Sequence, residues 1–137
     1  MKNEEPVMAE SQTVEAQEIL PNEPQWIFDS GVLQHERVRY TNDVVAALKT
    51  VFDPEIPCDV YELGLIYKVD IDEHRLIKIE MTLTAPGCPV AGEITRSIET
   101  AVGTVPGTLG VIVTIVFEPP WDQGRMSDEA RVSLDMF

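Results

Sequence analysis

The sequence predicts an α+β domain, a small mixed sheet of three strands with helices packed on it. The predicted order is α-β-β-α-β plus a short C-terminal helix. Two adjacent segments alternate apolar and polar residues with a period of two, on either side of a hairpin-length turn at residues 72–75. An amphipathic helical stripe separates them from a third, apolar segment. A strand, a helix and a further strand form a crossover unit, so the last two strands are predicted to be parallel if they are neighbours.

The first predicted element is an amphipathic helix beginning near Thr41 or Asn42, because either side chain can cap a helix. An apolar stripe at residues 44–52 gives the helix its buried side. Asp53-Pro54 ends it, since the residue before a proline avoids the helical region. Residues 53–64 contain two prolines and a glycine, which predicts a structured loop.

Three strands and a last helix follow this loop. Residues 65–71 and 76–84 form the antiparallel hairpin. Residues 109–117 are apolar on both faces, which predicts a central or well-covered strand. After two prolines, Ser127 is a good N-cap for a short helix through about Asp135.

A turn of distinctive composition, Thr84-Ala85-Pro86-Gly87-Cys88-Pro89, joins the second strand to the second helix, which is predicted from Cys88 to about Val102. Cys88 therefore falls at a helix N-terminus. Unpaired N–H groups and the helix dipole at such a place can lower a thiol pKa from about 8.5 toward roughly 3.5–7.5. The resulting thiolate can bind metal or attack a disulfide. The alternative is that Cys88 is a small buried apolar residue.

Composition narrows the classes of partner. The chain has 137 residues and a formal net charge of −14, with no basic face for nucleic acid or an anionic membrane. No apolar run is long enough to span a bilayer, and the N-terminus lacks the layout of a signal peptide. Two cysteines are too few for a disulfide scaffold and fit a reducing compartment. We therefore expect a cytoplasmic protein with no nucleic-acid or membrane partner.

The chain divides into two predicted parts. Residues 1–40 are predicted to be an acidic, largely disordered N-terminal extension, and residues 41–137 a single domain. Within the extension, residues 25–28 are apolar enough either to dock on the domain or to form an exposed patch.

The loop at residues 53–64 is rich in carboxylates: Asp53, Glu55, Asp59 and Glu62. Paired carboxylates can serve acid–base chemistry, although a solvated acidic loop is the simpler interpretation in a chain this acidic. No Cys/His spacing of the zinc-site type is present, which argues against a conventional structural zinc site.

Three segments together resemble the SufT/PaaD family of iron–sulfur cluster assembly factors. They are the loop Asp53-Pro54-Glu55-Ile56-Pro57 running into Leu63-Gly64-Leu65-Ile66-Tyr67, the turn at residues 84–89, and the tail Pro119-Pro120-Trp121 with residues 126–131. The resemblance covers about residues 41–135 and implies an accessory role in cluster assembly or delivery to apo-proteins, rather than an enzyme. The lack of a cysteine-rich C-terminal extension favours the general SUF-type branch over the PaaD branch.

The resemblance also implies a site. The cysteine matching Cys88 is the signature functional residue of the family, and Asp53, Glu55 and Thr84 match positions expected to line the same site. Cys58 replaces a usually aliphatic residue, so it is either an apolar substitute or a second thiol and metal ligand near Cys88. One thiolate cannot hold a cluster, which usually takes four cysteine ligands. We therefore expect a transient iron–sulfur cluster or iron, and no permanently bound group.

The partners implied are iron–sulfur scaffold proteins and apo iron–sulfur clients, and a homodimer would bring two copies of Cys88 into play. A metal-free adaptor linking the scaffold to clients is the alternative function, carried by Trp121, the acidic N-terminal extension and the exposed parts of the loop at residues 53–64. A thiol redox enzyme is a third alternative. The absence of a Cys-x-x-Cys pair counts against it, and a disulfide between Cys58 and Cys88 would support it.

Overall fold

A four-stranded sheet and three α-helices make up the domain in the computed structural model, which describes residues 23–85 and 91–134. The elements are β1 (Gln25–Phe28), α1 (Gln34–Leu48), β2 (Ile66–Ile71), β3 (Leu76–Met81), α2 (Ala91–Gly103), β4 (Gly110–Ile115) and α3 (Asp128–Ser133), with a 3-10 turn at Gln123–Arg125. The predicted α+β class is confirmed. The predicted count of three strands is wrong, because β1 is a fourth.

The strand order in the sheet is β1-β2-β3-β4. The β2–β3 hairpin is antiparallel and β4 is parallel to β3, as the sequence predicts. The additional strand β1 pairs in parallel with β2, with Gln25 opposite Lys68. Four residues are too few to display a reliable period of two, so the sequence pattern does not predict this strand. It forms by pairing with β2, a partner about forty residues away in the sequence.

The first helix begins at Gln34 and not at Thr41. Its N-cap is Leu33, whose side chain makes no capping hydrogen bond, so the usual start signal is missing. Thr41 and Asn42 are interior residues of the helix. Within the extension predicted for residues 1–40, residues 25–28 form β1 and residues 34–40 belong to α1, and residues 1–22 lie outside the described residues.

The hydrophobic core lies between α1, α2 and one face of the sheet. Its fully buried side chains include Val44 and Leu48 of α1, Ile98 of α2, and Ile77 and Ile79 of β3. Each contributes about 1.5–3 kcal/mol relative to an exposed position. Val60 and Leu63 of the loop that follows α1, and Leu83 after β3, are also buried in this core.

β4 lies at the edge of the sheet, so the prediction of a central or well-covered strand is wrong. Val111, Val113 and Ile115 face the core, but Ile112 on the other face is 48% exposed. In the described ranges only β3 pairs with β4. In β4, apolar residues on both faces therefore occur in an edge strand and not in a central one.

The C-terminal helix begins as predicted. The Ser127 hydroxyl accepts a hydrogen bond from the amide of Ala130 at 3.0 Å and caps α3. The predicted end at Asp135 lies outside the described residues. No helix in the ranges 23–85 and 91–134 is both long and apolar enough to cross a bilayer.

Candidate functional site

Asp53 organises the start of the loop that follows α1. Its side chain is buried, and Oδ1 accepts hydrogen bonds from the amides of Glu55 at 2.7 Å and Ile56 at 2.9 Å. Such Asx-type bonds satisfy backbone donors that a proline-containing loop cannot pair in a helix or strand. The sequence predicted Asp53 in a solvated loop or in a site, and its burial excludes the solvated interpretation for this residue.

Thr84 joins the turn after β3 to this loop. Its hydroxyl donates a hydrogen bond to Oδ2 of Asp53 at 3.2 Å, across a separation of 31 residues. Ile66 at the start of β2 pairs with Met81 at the end of β3, so Thr84 follows at that same end of the sheet. The structure therefore brings together two of the predicted site residues.

The other two predicted site residues stand differently. Glu55 is exposed and donates its backbone amide to Asp53. Cys88 lies outside the described residues, as do its neighbours in residues 86–90, so its role stays a prediction. In the sequence Cys88 lies between Ala85, next to Thr84, and Ala91, the first described residue of α2.

The third resembling segment packs against the same loop. The indole N–H of Trp121 donates to the carbonyl of Leu63 at 2.7 Å, and the amide of Ser127 donates to the carbonyl of Glu62 at 2.9 Å. Trp121 is partly buried against the core, which agrees with a packing role. These two hydrogen bonds hold the tail against the end of the loop at residues 53–64.

Gly64 ends the loop in a conformation that favours glycine. Its φ is +78°, and a Cβ at this position would overlap the carbonyl group of Arg125. Arg125 also places its guanidinium 4.4 Å from the centre of the Tyr67 ring. The close approach of loop and tail therefore depends on the missing side chain of Gly64.

Cys58 is a poor candidate for an activated thiol. It is half-buried, and burial raises its pKa, with the carboxylates of Asp59, Glu62 and Asp53 raising it further. A raised pKa keeps the thiol protonated at neutral pH, whereas metal binding and nucleophilic attack require the thiolate. The environment favours the interpretation of Cys58 as a substitute for an apolar residue.

This environment predicts slow chemistry at Cys58. In a Cys88→Ser variant, iodoacetamide at pH 7 should alkylate Cys58 more slowly than it alkylates free cysteine, because the thiolate fraction is smaller. Urea should raise the rate, since unfolding removes both the burial and the carboxylates. The rate is measured by mass spectrometry over time. Alkylation of the folded variant as fast as that of free cysteine would contradict the prediction.

The described side chains do not form a metal-binding group on their own. Within residues 23–85 and 91–134, no three His, Cys, Asp or Glu side chains are grouped to hold an ion. The Asp53 carboxylate already accepts three hydrogen bonds, and Cys58 has a raised pKa. A bound iron or cluster would need ligands from Cys88 or from a partner as well.

Sequence reasoning missed a groove beside the site. Phe52 was assigned to the buried stripe of the first helix, but α1 ends at Leu48 and Phe52 is 59% exposed. A groove of about 470 Å³ runs between Phe52 and the outer side of α2, and Glu93 and Arg96 also line it. No sequence signal marks this groove, because helical periodicity extends through Phe52 although the helix does not.

Known proteins share this fold and these segments. Residues 41–115 match the family described as iron-sulfur cluster assembly protein. A Porphyromonas gingivalis Fe-S protein maturation auxiliary factor is 43% identical over 102 residues, covering 74% of this chain and 97% of the relative. The Fe-S protein maturation auxiliary factor SufT of Staphylococcus aureus is 38% identical over 84 residues, covering 61% and 96%.

A solved structure is similar to this chain in both sequence and fold. The crystal structure of a domain of unknown function from Bacillus anthracis superimposes with a TM-score of 0.67 at 38% identity, covering 72% of this chain and 93% of the other. The family match includes Asp53 and Thr84, which the structure joins by a hydrogen bond. The chain therefore belongs to the SufT/PaaD family of iron–sulfur cluster assembly proteins.

Proposed function

We propose that this protein is an accessory factor in iron–sulfur protein maturation, acting through Cys88 on the turn that Thr84 begins. The observation that carries the proposal is the hydrogen bond between Thr84 and the buried carboxylate of Asp53. This bond ties the turn to a loop that is itself held by backbone amides. A thiol four residues beyond this anchored threonine would meet a partner in a restricted set of orientations.

The cluster or iron is cargo in this proposal. Cys88 contributes one thiolate, either as a ligand to the cargo or as a contact to the cluster site of a client. The remaining ligands come from the partner, because the described residues lack a complete set. An incomplete site binds weakly and so favours transfer over storage. Asp53 and Thr84 position the start of the turn, and the exposed Glu55 follows Asp53 in the loop.

The partners proposed are an iron–sulfur scaffold and apo-protein clients, in the cytoplasm, where a reducing environment keeps both thiols free. The groove beside Phe52 supports a docking role, since an exposed aromatic residue next to a groove is a typical anchor for another protein. The reaction proposed is delivery of cargo, without catalytic turnover by this chain.

Anaerobic loading tests the role of Cys88. Wild type, Cys88→Ser and the matched control Cys58→Ser are incubated with iron and sulfide, and their visible absorption is recorded. We expect a cluster spectrum in wild type and Cys58→Ser that is lost in Cys88→Ser. Maturation of an apo client should fall in the same variant. Equal spectra and equal client maturation in all three proteins would contradict the proposal.

The exposed Phe52 favours a second candidate, a metal-free adaptor that joins the scaffold to clients. Under this function no variant forms a cluster, Cys88→Ser still binds partners, and Phe52→Ser loses binding. Partner pull-down with purified scaffold and client distinguishes the two functions, because only the adaptor function survives loss of the Cys88 thiol.

A further inference from the structure

The outer edge of β4 offers unpaired backbone groups. The amide of Leu109 donates to the carbonyl of Arg75 on the β3 side. Because neighbouring residues of a strand direct their backbone groups to opposite sides, Gly110, Ile112 and Thr114 direct theirs outward. In the part of the chain that the structure describes, no strand pairs with this side of β4.

This edge lacks the usual protection against pairing. Natural edge strands are blunted by charges, prolines, bulges or short length. No charged residue occurs between Glu99 and Glu118, although the chain carries a formal net charge of −14. β4 is six residues long, as long as β3, and it pairs with β3 over its full length. Leu109 and Ile112 are 70% and 48% exposed.

We propose that β4 pairs antiparallel with β4 of a second copy, around a two-fold axis at Ile112, to give a continuous eight-stranded sheet. In this register the outward backbone groups of Ile112 meet those of Ile112 in the second copy. Gly110 meets Thr114, and Thr114 meets Gly110. The exposed Ile112 side chains cover one another on the outer face, and each Leu109 lies beside Ile115 of the second copy.

A second copy fits this edge better than a different partner does. The edge is uncharged, so an oppositely charged partner would gain nothing here from the acidity of the chain. The pairing is self-complementary, since the same three residues supply donors and acceptors on both sides, and a two-fold interface closes on itself. Pairing of β4 with the other edge strand, β1, would use only four residues and would leave an open series of copies.

The arrangement separates the two functional sites. Thr84 follows the carboxyl end of β3, which runs parallel to β4. In an antiparallel pair of β4 strands these ends lie at opposite ends of the joint sheet. Each copy therefore presents its site outward to a separate partner, in contrast to a dimer that joins two sites.

Analytical ultracentrifugation tests the proposal with the full chain. Wild type should sediment as a concentration-dependent dimer. Ile112→Lys should raise the dimer dissociation constant by about tenfold or more, because it places two like charges directly opposite each other. The matched control is Val132→Lys, an equally drastic change at a 62% exposed position on α3, which should dimerise as wild type does. Circular dichroism checks that both variants fold.

Hydrogen exchange supplies a second measurement that needs no variant. The amides of Gly110, Ile112 and Thr114 should become slower to exchange as the protein concentration rises. A wild-type monomer at every concentration would overturn the proposal and leave the edge to another partner. Equal dimerisation of Ile112→Lys and wild type, or species larger than a dimer, would also overturn it.

Discussion

Replacing Gly64 with alanine should destabilise the fold by about 2–5 kcal/mol, the sum of about 1–2 for a left-handed non-glycine residue and about 1–3 for overpacking. The φ of +78° is unfavourable for any residue with a Cβ, and the added methyl would overlap the carbonyl group of Arg125. The loop at residues 53–64 and the tail would have to separate, which would also loosen the hydrogen bond from Trp121 to Leu63.

Chemical denaturation with urea measures this loss. Gly103→Ala is the matched control, because it makes the same substitution at the end of α2, where a Cβ meets nothing within 4 Å. That change should be neutral or stabilising by up to about 1 kcal/mol, as expected for alanine in a helix. Equal stabilities of the two variants would show that loop and tail are not in close contact at Gly64.

Asp53→Ala should cost about 2–4 kcal/mol, because two amides and one hydroxyl lose an acceptor in a partly buried place. Asp53→Asn separates shape from charge. Its Oδ1 can keep both amide bonds, and its amide group can donate to the Thr84 hydroxyl, so the cost should be about 1 kcal/mol or less.

Denaturation curves and client maturation are recorded for both variants. We expect Asp53→Asn to stay folded, and its maturation activity then reports whether the negative charge is needed in addition to the geometry. Thr84→Val is the companion variant, since it removes one donor and keeps the side-chain shape. A fully stable Asp53→Ala protein would refute the view that this carboxylate holds the loop.

The elements with strong periodicity were predictable from the sequence. β2, β3 and their hairpin follow from alternation, and α3 follows from the cap at Ser127, because these signals depend on local physical chemistry. The start of α1 was not predictable. Leu33 offers no capping side chain, while Thr41 is a good capping residue inside the helix.

Tertiary contacts account for the other differences between the predicted and the observed fold. β1 is stabilised by its parallel pairing with β2. A segment of four residues does not carry a sequence pattern that predicts this pairing. The apolar pattern of β4 is the same for a central strand and for an unprotected edge, so its position depends on which strands are present to cover it. Burial is likewise a property of the assembled fold, and Phe52 is exposed only because α1 stops at Leu48.

The candidate site was partly predictable. The resemblance selected Asp53 and Thr84 as residues of one site, and the structure places them in contact. The hydrogen bonds that hold Asp53 could not be read from the sequence, where it looks like one acidic residue among several. The different states of the two acidic neighbours, a buried Asp53 and an exposed Glu55, follow from the direction of the loop and not from residue type.

The parallel pairing of β1 decides where the N-terminal segment is attached. Gln25 lies opposite Lys68 near the start of β2. Burial raises the pKa of Tyr61 to about 12, and the carboxylate of Glu23 is near enough to raise it further. That end of the sheet is also where Thr84 follows β3. Everything joined ahead of Glu23, including an affinity tag or a fluorophore, is therefore tethered at the end of the sheet where Thr84 lies, the end at which we propose that partners bind. A label that leaves the site open belongs at the other end, in the turn at residues 72–75.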